Sequence, residues 1–404
     1  MLTVTEARER ILSHFQPSPT ETTPLADARD RILAVDISAD GDYPPFDNSA
    51  VDGFALRAED TSASSLTLNV VADIPAGSTP TVFLQSGQAA RIMTGAQVPR
   101  GADSVILVED TDFNDRSAGT SAPKTVTFAK QIQAGANVRA KGTDIHAGEV
   151  VLKKGRSLKP QDLGLLAALG IARVIVHKKA RVALFSSGDE LLAADAPLQP
   201  GKIRDSNSYA LAASIENAGA EVIRLGVAKD LRESVTALLD KAANENVDLI
   251  LSSAGVSVGA FDFIKEVIDA NGEMDFWKVN MRPGKPLAFG AYRGIPFIGL
   301  PGNPVSAFVG FEVFARPALE RLNGKMDGDR QTVRVRTEKE ITSDGRESYL
   351  RAKIRVENGA QIASLTGHQG SGNLLSLVQA DALLIIPAGV KCVPVGSEVE
   401  AILL

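Results

Sequence analysis

The chain has 404 residues, of which 44% are hydrophobic and 23% are charged; this composition is typical of soluble globular proteins, and the length predicts about two to four domains. Its formal net charge of −6 argues against electrostatic binding of nucleic acid, and its single cysteine, Cys392, excludes an intrachain disulfide and a multi-thiolate metal site. Because no apolar run reaches ~18 residues and the first residues lack an apolar signal core, we expect a cytoplasmic enzyme without membrane contact.

The first part of the chain is predicted to begin with helices and to continue as β-structure. Residues 1–15 and 24–35 carry apolar side chains among charged ones, which predicts two helices. Residues 50–155 contain short alternating apolar runs separated by glycine, serine and threonine, which predict strands. Residues 160–170 predict a compact helix that starts at a proline and stops at a glycine.

Strands and helices alternate from residue 180 onward, and this pattern predicts a parallel, doubly wound sheet. The predicted strands are 181–187, 221–228, 249–253 and 295–300, and the predicted helices are 207–219, 231–245, 263–272 and 303–324. Past residue 330 the helical pattern ends, and short strands predict a small β-barrel or sandwich. Ligands of such sheets bind at the carboxyl ends of the strands, so the loops that follow the strands form the candidate site.

The loop SSAGVSVGAFD (252–262) carries the strongest local signal, because it lies between a predicted strand and a predicted helix. Free backbone N–H groups and the helix dipole at such a junction favour a phosphate-like anion. Gly255 and Gly259 allow the backbone to approach a ligand closely. The loop ends in Asp262, and a carboxylate beside an anion requires a cation between them. The loop therefore predicts a site for phosphate together with a metal ion.

Acidic residues follow three of the predicted strands, namely Asp189, Glu190, Asp230 and Asp262. In a parallel sheet they would share one pocket, where their charges repel one another unless a cation lies among them. The scattered histidines argue against zinc or non-haem iron, and oxygen ligands suit Mg²⁺. Two alternatives remain: Asp189 and Asp230 are helix N-caps, or Glu190 and Asp262 are solvated loop acids.

A basic segment, WKVNMRPGKP (277–286), presents Lys278, Arg282 and Lys285 on a loop that two prolines stiffen. Three cations on a rigid loop fit an oxyanion or a phosphate, and a solvated basic turn is the alternative.

Three further loops are weaker candidates. PGNPVS (301–306) follows a buried strand and places Asn303 or Pro304 at a helix start. DSNSY (205–209) either caps a helix or holds a hydroxylated ligand. TGHQGSG (366–372) either binds an anion or forms a hairpin turn.

A series of long motifs resembles one known family. In chain order they are FDNSAVDGFAL, RIMTGAQVPRGADSVI, SSGDEL, DSNSY, SSAGVSVGAFDFIK, RPGKPLAFG, GLPGNPVSA and TGHQGS. Together they resemble the molybdopterin molybdenumtransferase family, which includes MoeA and the gephyrin E domain, over nearly the whole chain. The resemblance implies insertion of molybdate into adenylated molybdopterin, with release of AMP and a requirement for Mg²⁺. It also implies a homodimer, with possible contacts to the adenylyltransferase and to molybdoenzymes.

The resemblance also implies a multidomain α/β and β architecture with four domains. These are an elongated N-terminal domain (1–46 plus 140–178), an inserted mainly-β domain (47–139), a MogA-like α/β domain that binds molybdopterin (179–326) and a C-terminal β-barrel (327–404). The expected active site lies in a cleft between domains of the two subunits.

The motifs carry candidate site residues over to this chain. The implied catalytic residues are Asp52, Asp144, Glu190, Asp230 and Asp262, of which Glu190 and Asp262 are predicted to hold the metal. The implied substrate-binding residues are Thr94, Ser252, Gly255, Ser257, Gly259, Lys278, Arg282, Lys285, Pro301, Pro304, Arg351 and Ser371. Two departures are visible: Arg282 stands where many members have lysine, and Ala254 where glycine is commoner. We expect Ala254 to impose only a mild constraint on the backbone.

Other functions are compatible with the same loops. An adenylyltransferase that activates the pterin with ATP would share the parallel domain, although the large flanking domains argue against it. A scaffold that dimerises and binds peptides of other proteins is a second alternative. A sugar-phosphate or nucleotide binder without catalysis is a third.

Overall fold

The computed structural model describes residues 1–62, 65–113, 119–254, 263–325 and 330–404, without the side chain of Trp277. Its helices are α1 (Val4–Ser13), α2 (Pro160–Ala168), α3 (Asn207–Asn217), α4 (Arg232–Asn244), α5 (Phe263–Asn271), α6 (Pro304–Gly310), α7 (Arg316–Leu322) and α8 (Leu374–Val378). Short 3-10 turns cover Leu25–Asp27, Ala58–Thr61 and Val108–Asp110, and a π-helical turn covers Phe311–Ala315. Within the described ranges, none of the helices combines the length and the apolarity needed to span a membrane.

The strands of the first half of the chain are β1 (Thr20–Pro24), β2 (Ile37–Ser38), β3 (Asn48–Ser49), β4 (Gly53–Leu56), β5 (Leu66–Ile74), β6 (Gln88–Ile92), β7 (Ser104–Leu107), β8 (Thr125–Phe128), β9 (Val138–Arg139), β10 (Val150–Leu152) and β11 (Arg173–His177). The remaining strands are β12 (Arg181–Ser187), β13 (Leu191–Leu192), β14 (Ile203–Arg204), β15 (Glu221–Ala228), β16 (Leu249–Ser253), β17 (Gly272–Lys278), β18 (Met281–Arg282), β19 (Pro286–Tyr292), β20 (Ile295–Leu300), β21 (Thr332–Thr337), β22 (Ile341–Thr342), β23 (Glu347–Glu357), β24 (Ala360–Leu365), β25 (Ala382–Ile386), β26 (Cys392–Val393) and β27 (Glu398–Leu403).

The chain forms two compact units. The first contains Met1–Val35, Gly155–Leu163 and Arg173–Leu404, and the second contains Asp36–Lys154 and Gly164–Ala172. The finer division into four domains stays a prediction.

The first unit is built on a six-stranded sheet in the order β15-β12-β16-β20-β19-β17. The first four strands are parallel, and β19 and β17 add an antiparallel edge. Val182 and Leu184 join the core that includes α3 and α6, whereas Ala183 and Phe185 join the core that includes α4 and α5. Because alternate residues of one strand enter both cores, helices cover both faces, and the predicted doubly wound sheet is confirmed. The antiparallel edge was not predicted.

The C-terminal part of the same unit is a closed barrel, as predicted. Strand β23 pairs with both β24 and β25, and β21 and β27 complete the ring. Strand β18 pairs in parallel with β23, with Arg282 beside Ser348, so the basic segment is joined to the barrel. The short helix α8 lies in this region, where the sequence predicted strands alone.

The second unit is mainly β, in agreement with the pattern of residues 50–155. Its central sheet has the order β7-β4-β6-β5-β8, and two small ladders pair β2 with β10 and β3 with β9. The strands of this unit bury a hydrophobic cluster that includes Phe54, Leu68, Ile106 and Val126.

The helix predicted for 24–35 is wrong. Only Leu25–Asp27 forms a 3-10 turn, and Asp30 has a φ of 61° that ends any helical continuation. Ile32 and Leu33 then form β-bridges with Ser157 and Val176. The apolar residues of this segment therefore pack as extended chain against a distant part of the sequence.

Candidate functional site

The ends of the parallel strands open on one cavity of about 360 Å³. Its wall contains Glu190 after β12, Ser253 at the end of β16 and Pro301 to Pro304 after β20. The residues Asp205 and Ser206, Asn207 at the start of α3, and Pro286 complete the wall. The expected convergence of these loops is therefore present, because parallel strands deliver their following loops to one edge of the sheet.

The DSNSY segment performs two tasks in this cavity. Asp205 is buried, and its Oδ1 accepts a hydrogen bond from the Ser208 N–H at 3.0 Å, which stabilises the first turn of α3. Asn207 donates from Nδ2 to Ser253 Oγ at 2.7 Å and to the Gly302 carbonyl at 2.8 Å. Asn207 thus ties two strand-end loops together. It was not among the predicted site residues, although its motif was noted.

Two of the predicted acids lie side by side. The Asp189 N–H donates to Asp230 Oδ2 at 3.4 Å, the Asp230 N–H donates to Asp189 Oδ1 at 3.3 Å, and Ser187 Oγ donates to Asp230 at 3.1 Å. Neither residue is a helix N-cap, because Leu231 precedes α4 and the short strand β13 follows Asp189. The N-cap alternative is therefore wrong for both.

Glu190 lines the cavity and is exposed. Its carboxylate folds over Gly188, where a Cβ would collide with it. Gly255, Ser257, Gly259 and Asp262 lie outside the described residues. Among the residues that are described, no three side chains of the metal-ligating types are grouped closely enough to hold a metal ion, so the ligand pair Glu190 and Asp262 stays a prediction.

The end of β16 carries unusual backbone geometry. Ser252 is fully buried, and its Oγ has no hydrogen-bond partner among the described residues. Ala254 has a φ of 72°, in the left-handed region that a Cβ disfavours by roughly 1–2 kcal/mol. The expectation of a mild constraint at Ala254 is therefore corrected, because its φ lies in the region that a side chain with a Cβ rarely adopts.

The three basic candidates occupy a hairpin rather than one loop. Lys278 ends β17 and is exposed, as is Lys285. Arg282 lies in β18, and its Nη1 is 3.8 Å from Asp344 Oδ2. Lys285 directly precedes Pro286, which lines the cavity.

Arg351 is the largest fully buried side chain in the described part of the protein. Its Nε donates to Ser376 Oγ at 3.1 Å and its Nη2 to the Gly370 carbonyl at 3.0 Å, while Nη1 has no partner among the described residues. Burial, and secondarily the charge of Arg282, lowers the pKa of Arg351. A buried cation without a carboxylate partner is costly, and an anion at Nη1 would offset that cost.

The barrel meets the strand-end loops through Ser371. Its carbonyl accepts a hydrogen bond from the Val305 N–H at 3.0 Å. Val305 follows Pro304, which lines the cavity. The loop 366–372, which Arg351 holds through its carbonyls, therefore lies against the start of α6, and the structure brings Arg351, Ser371, Pro301 and Pro304 into one neighbourhood.

The remaining candidates belong to the second unit. Asp52 Oδ1 accepts hydrogen bonds from the backbone N–H and from the hydroxyl of Thr94, both at 2.7 Å. Asp144 is paired with Arg139, with 2.5 Å between Oδ2 and Nη2. All four side chains are exposed.

Comparisons with known proteins cover the whole chain. Family models match residues 2–170 (MoeA N-terminal region, domain I and II), 183–321 (probable molybdopterin binding domain) and 334–404 (MoeA C-terminal region, domain IV). A molybdopterin molybdenumtransferase from Nostoc sp. is 39% identical over 94% of this chain and 88% of its own. Molybdopterin molybdenumtransferase 2 from Mycobacterium tuberculosis is 40% identical over 94% of both chains. The crystal structure of a molybdopterin biosynthesis MoeA protein from Pyrococcus horikosii superposes with a TM-score of 0.82, at 36% identity over 100% of this chain and 99% of that one. The chain belongs to the molybdopterin molybdenumtransferase (MoeA) family.

Proposed function

We propose that this protein inserts molybdate into adenylated molybdopterin and releases AMP, so that molybdenum cofactor forms. The observation that carries the proposal is the buried guanidinium of Arg351, whose Nη1 has no partner among the described residues. Molybdate is a compact oxyanion, and charge-assisted hydrogen bonds from arginine are the strong interactions such anions make. Relatives that span the chain are named for this transferase activity.

The cavity at the strand ends is the proposed site for the adenylated pterin. Its volume of about 360 Å³ falls within the range of small-molecule pockets, roughly 300–1,000 Å³. Polar groups of Glu190, Asn207 and Ser253 line it. The proposal adds a phosphate cradle formed by Ser252, Gly255, Ser257 and Gly259, on the strength of the motif.

The proposal includes Mg²⁺ held by Glu190 and Asp262. The described acids near this edge, Asp189, Glu190 and Asp230, offer hard oxygen donors of the kind that Mg²⁺ prefers, so the chemistry of the donor set fits. When bound, Mg²⁺ would neutralise charge on the phosphoryl groups.

In the proposed reaction an oxygen of molybdate or of water forms a bond to the phosphorus on the pterin side, and the phosphoanhydride bond breaks with AMP as the leaving group. The two dithiolene sulfurs of the pterin bond to molybdenum, and one molybdate oxygen leaves with the two thiol protons as water. The chain contributes positioning, since Lys278, Arg282, Lys285 and Arg351 hold the oxyanion. Asp230, which Ser187 and Asp189 hold by hydrogen bonds, keeps a fixed carboxylate near the reacting groups. No covalent enzyme intermediate is required.

Family resemblance alone supports the other parts of the proposal. These are a homodimer, a cytoplasmic location, exchange with the adenylyltransferase and with molybdoenzymes, and catalytic roles for Asp52, Thr94 and Asp144.

The test is release of AMP from adenylated molybdopterin with Mg²⁺, with and without micromolar molybdate. We expect molybdate to stimulate AMP release by the wild-type protein. In Arg351→Met, added molybdate should no longer increase the rate of AMP release. Arg355→Met is the matched control, because Arg355 lies on the same strand but is exposed and paired with Glu338 at 2.8 Å. Its variant should behave as wild type.

Two results would contradict the proposal. Tight binding of the adenylated pterin without any AMP release would indicate storage or a scaffold role. Consumption of ATP with free molybdopterin and no molybdate would indicate an adenylyltransferase.

A further inference from the structure

The side-chain amide of Asn207 has a determined orientation. Its Nδ2 lies 2.7 Å from Ser253 Oγ and 2.8 Å from the carbonyl oxygen of Gly302. A carbonyl oxygen can only accept, so the nitrogen of the amide, and not its oxygen, must face Gly302. Both Nδ2 hydrogens are therefore used inside the protein.

The other end of the amide is available to a ligand. Oδ1 has no hydrogen-bond partner among the described residues, and it is not one of their buried polar atoms that lack a partner. Because Asn207 lines the cavity and is only partly buried, this oxygen is an acceptor that solvent or a ligand can reach. The two bonds at Nδ2 hold the amide plane, so the acceptor is preorganised.

We propose that Asn207 is a specificity-determining residue whose Oδ1 accepts a hydrogen bond from an N–H or O–H group of the bound ligand. The inference rests on the proposed function, since an adenylated pterin carries such donors on its pterin ring, its adenine and its ribose. Ionised phosphate and carboxylate groups only accept hydrogen bonds, so Oδ1 does not bind them and instead selects the donor-bearing part of the ligand.

The same residue has a second consequence for the cavity. Its two donated bonds link the end of β16 to the loop after β20, which are separate segments of the wall. Loss of Asn207 therefore removes an acceptor for the ligand and also a link between the loops. The test must separate these two effects.

The experiment measures dissociation constants by calorimetry for adenylated molybdopterin and for AMP. We expect Asn207→Ala to weaken adenylated molybdopterin roughly five- to tenfold, the effect of one neutral hydrogen bond. The rate of AMP release at saturating substrate should stay near the wild-type value, so the change falls on KM rather than on kcat. The control is Asn217→Ala, an exposed position at the other end of α3, which should leave both constants unchanged.

The AMP measurement locates the donor. Weakened AMP binding assigns the donor to the nucleotide, and in that case the AMP analogue that lacks the contacted amino or hydroxyl group should bind the wild-type and variant proteins equally. Weakening confined to the adenylated pterin assigns the donor to the pterin. Both results support the proposal, because a purely structural effect would not depend on one ligand group.

Ser253→Ala separates the acceptor from the link, because it removes one anchor of Asn207 and leaves Oδ1 in place. It should weaken binding less than Asn207→Ala does. An equal or larger effect of Ser253→Ala, or an unchanged dissociation constant for Asn207→Ala, overturns the proposal. If the wild-type protein binds the adenylated pterin but releases no AMP, the proposed function fails while the comparison of dissociation constants still decides the role of Asn207. If the wild-type protein binds neither ligand, both are overturned.

Discussion

Replacement of Ala254 by glycine should stabilise the protein. Ala254 has a φ of 72°, and a Cβ in the left-handed region costs roughly 1–2 kcal/mol. Glycine in turn lowers the free energy of unfolding by about 0.5–1 kcal/mol, because the unfolded chain gains conformational freedom. The difference predicts that Ala254→Gly raises the free energy of unfolding by about 0.5–1 kcal/mol.

The neighbouring Gly302 provides an independent measure of the same geometry. A Cβ built on Gly302 would lie 3.2 Å from the Cβ of Ala254 but 3.7 Å from its Cα. In the wild-type loop the new Cβ of Gly302→Ala is therefore too close to the Cβ of Ala254. When residue 254 is glycine, the nearest atom is its Cα, at an ordinary van der Waals distance. We expect the two substitutions to couple, with Gly302→Ala costing about 1 kcal/mol less in the Ala254→Gly background.

The assay is urea denaturation of the four proteins of this cycle, compared through their midpoints and slopes. Ala228→Gly is the matched control, because Ala228 ends strand β15 of the same sheet, is fully buried and does not have a positive φ. It should lose about 1 kcal/mol. The reasoning is refuted if Ala254→Gly destabilises the protein as Ala228→Gly does, or if the cycle shows no coupling.

Three further predictions follow from single contacts. Arg351→Met should abolish the rise in melting temperature that molybdate causes in the wild-type protein, because the buried cation is gone; thermal shift with and without molybdate checks this, and a retained rise contradicts it. Gly324→Ala should lower the free energy of unfolding by about 2 kcal/mol or more, since φ is 91° and the new Cβ would meet the His177 ring; a urea midpoint equal to that of the wild type would refute it. A hydrogen bond from Arg156 lowers the pKa of Asp162 in the folded protein. The pair therefore stabilises the fold at pH values above the pKa of an unfolded aspartate, about 3.9. This stabilisation is lost as the pH falls through the lower pKa of the folded state. Arg156→Met should therefore destabilise the protein at pH 7 and flatten the decline of stability below about pH 4, measured by denaturation across pH, and an unchanged profile would contradict it.

Much of the first unit could be predicted from periodicity. The strands 181–187 and 249–253 are continuous apolar runs because both of their faces are buried, and the helices between them carry one apolar face each. For the segment 24–35, prediction from apolar spacing was wrong. Its apolar spacing suits a helix, but Ile32 and Leu33 pair with Ser157 and Val176 instead. The spacing of apolar residues along a short segment carries no information about a β-bridge partner that lies more than a hundred residues away.

In the candidate site, too, some features could be predicted from the sequence and others could not. Parallel topology made the strand-end loops converge, so Glu190, Ser253 and Pro301 could be expected on one cavity wall. Asn207 could not be singled out, because its hydrogen-bond partners are 46 and 95 residues away in the sequence. Its residue type allows several roles, and only the positions of Ser253 and Gly302 select one.

The sequence by itself determined the alternation of strands and helices in the parallel part of the first unit, the family and the residue types available for chemistry, because burial patterns and motifs depend on local spacing. Only the tertiary structure decided that Arg351 is buried without a carboxylate partner among the described residues, that Ala254 has a left-handed backbone conformation and that Asn207 presents its oxygen as an acceptor. Each of these properties depends on segments that are distant along the chain and become neighbours only when the sheet and the barrel pack. Hydrogen-bond partners and strained backbone angles are set by that packing.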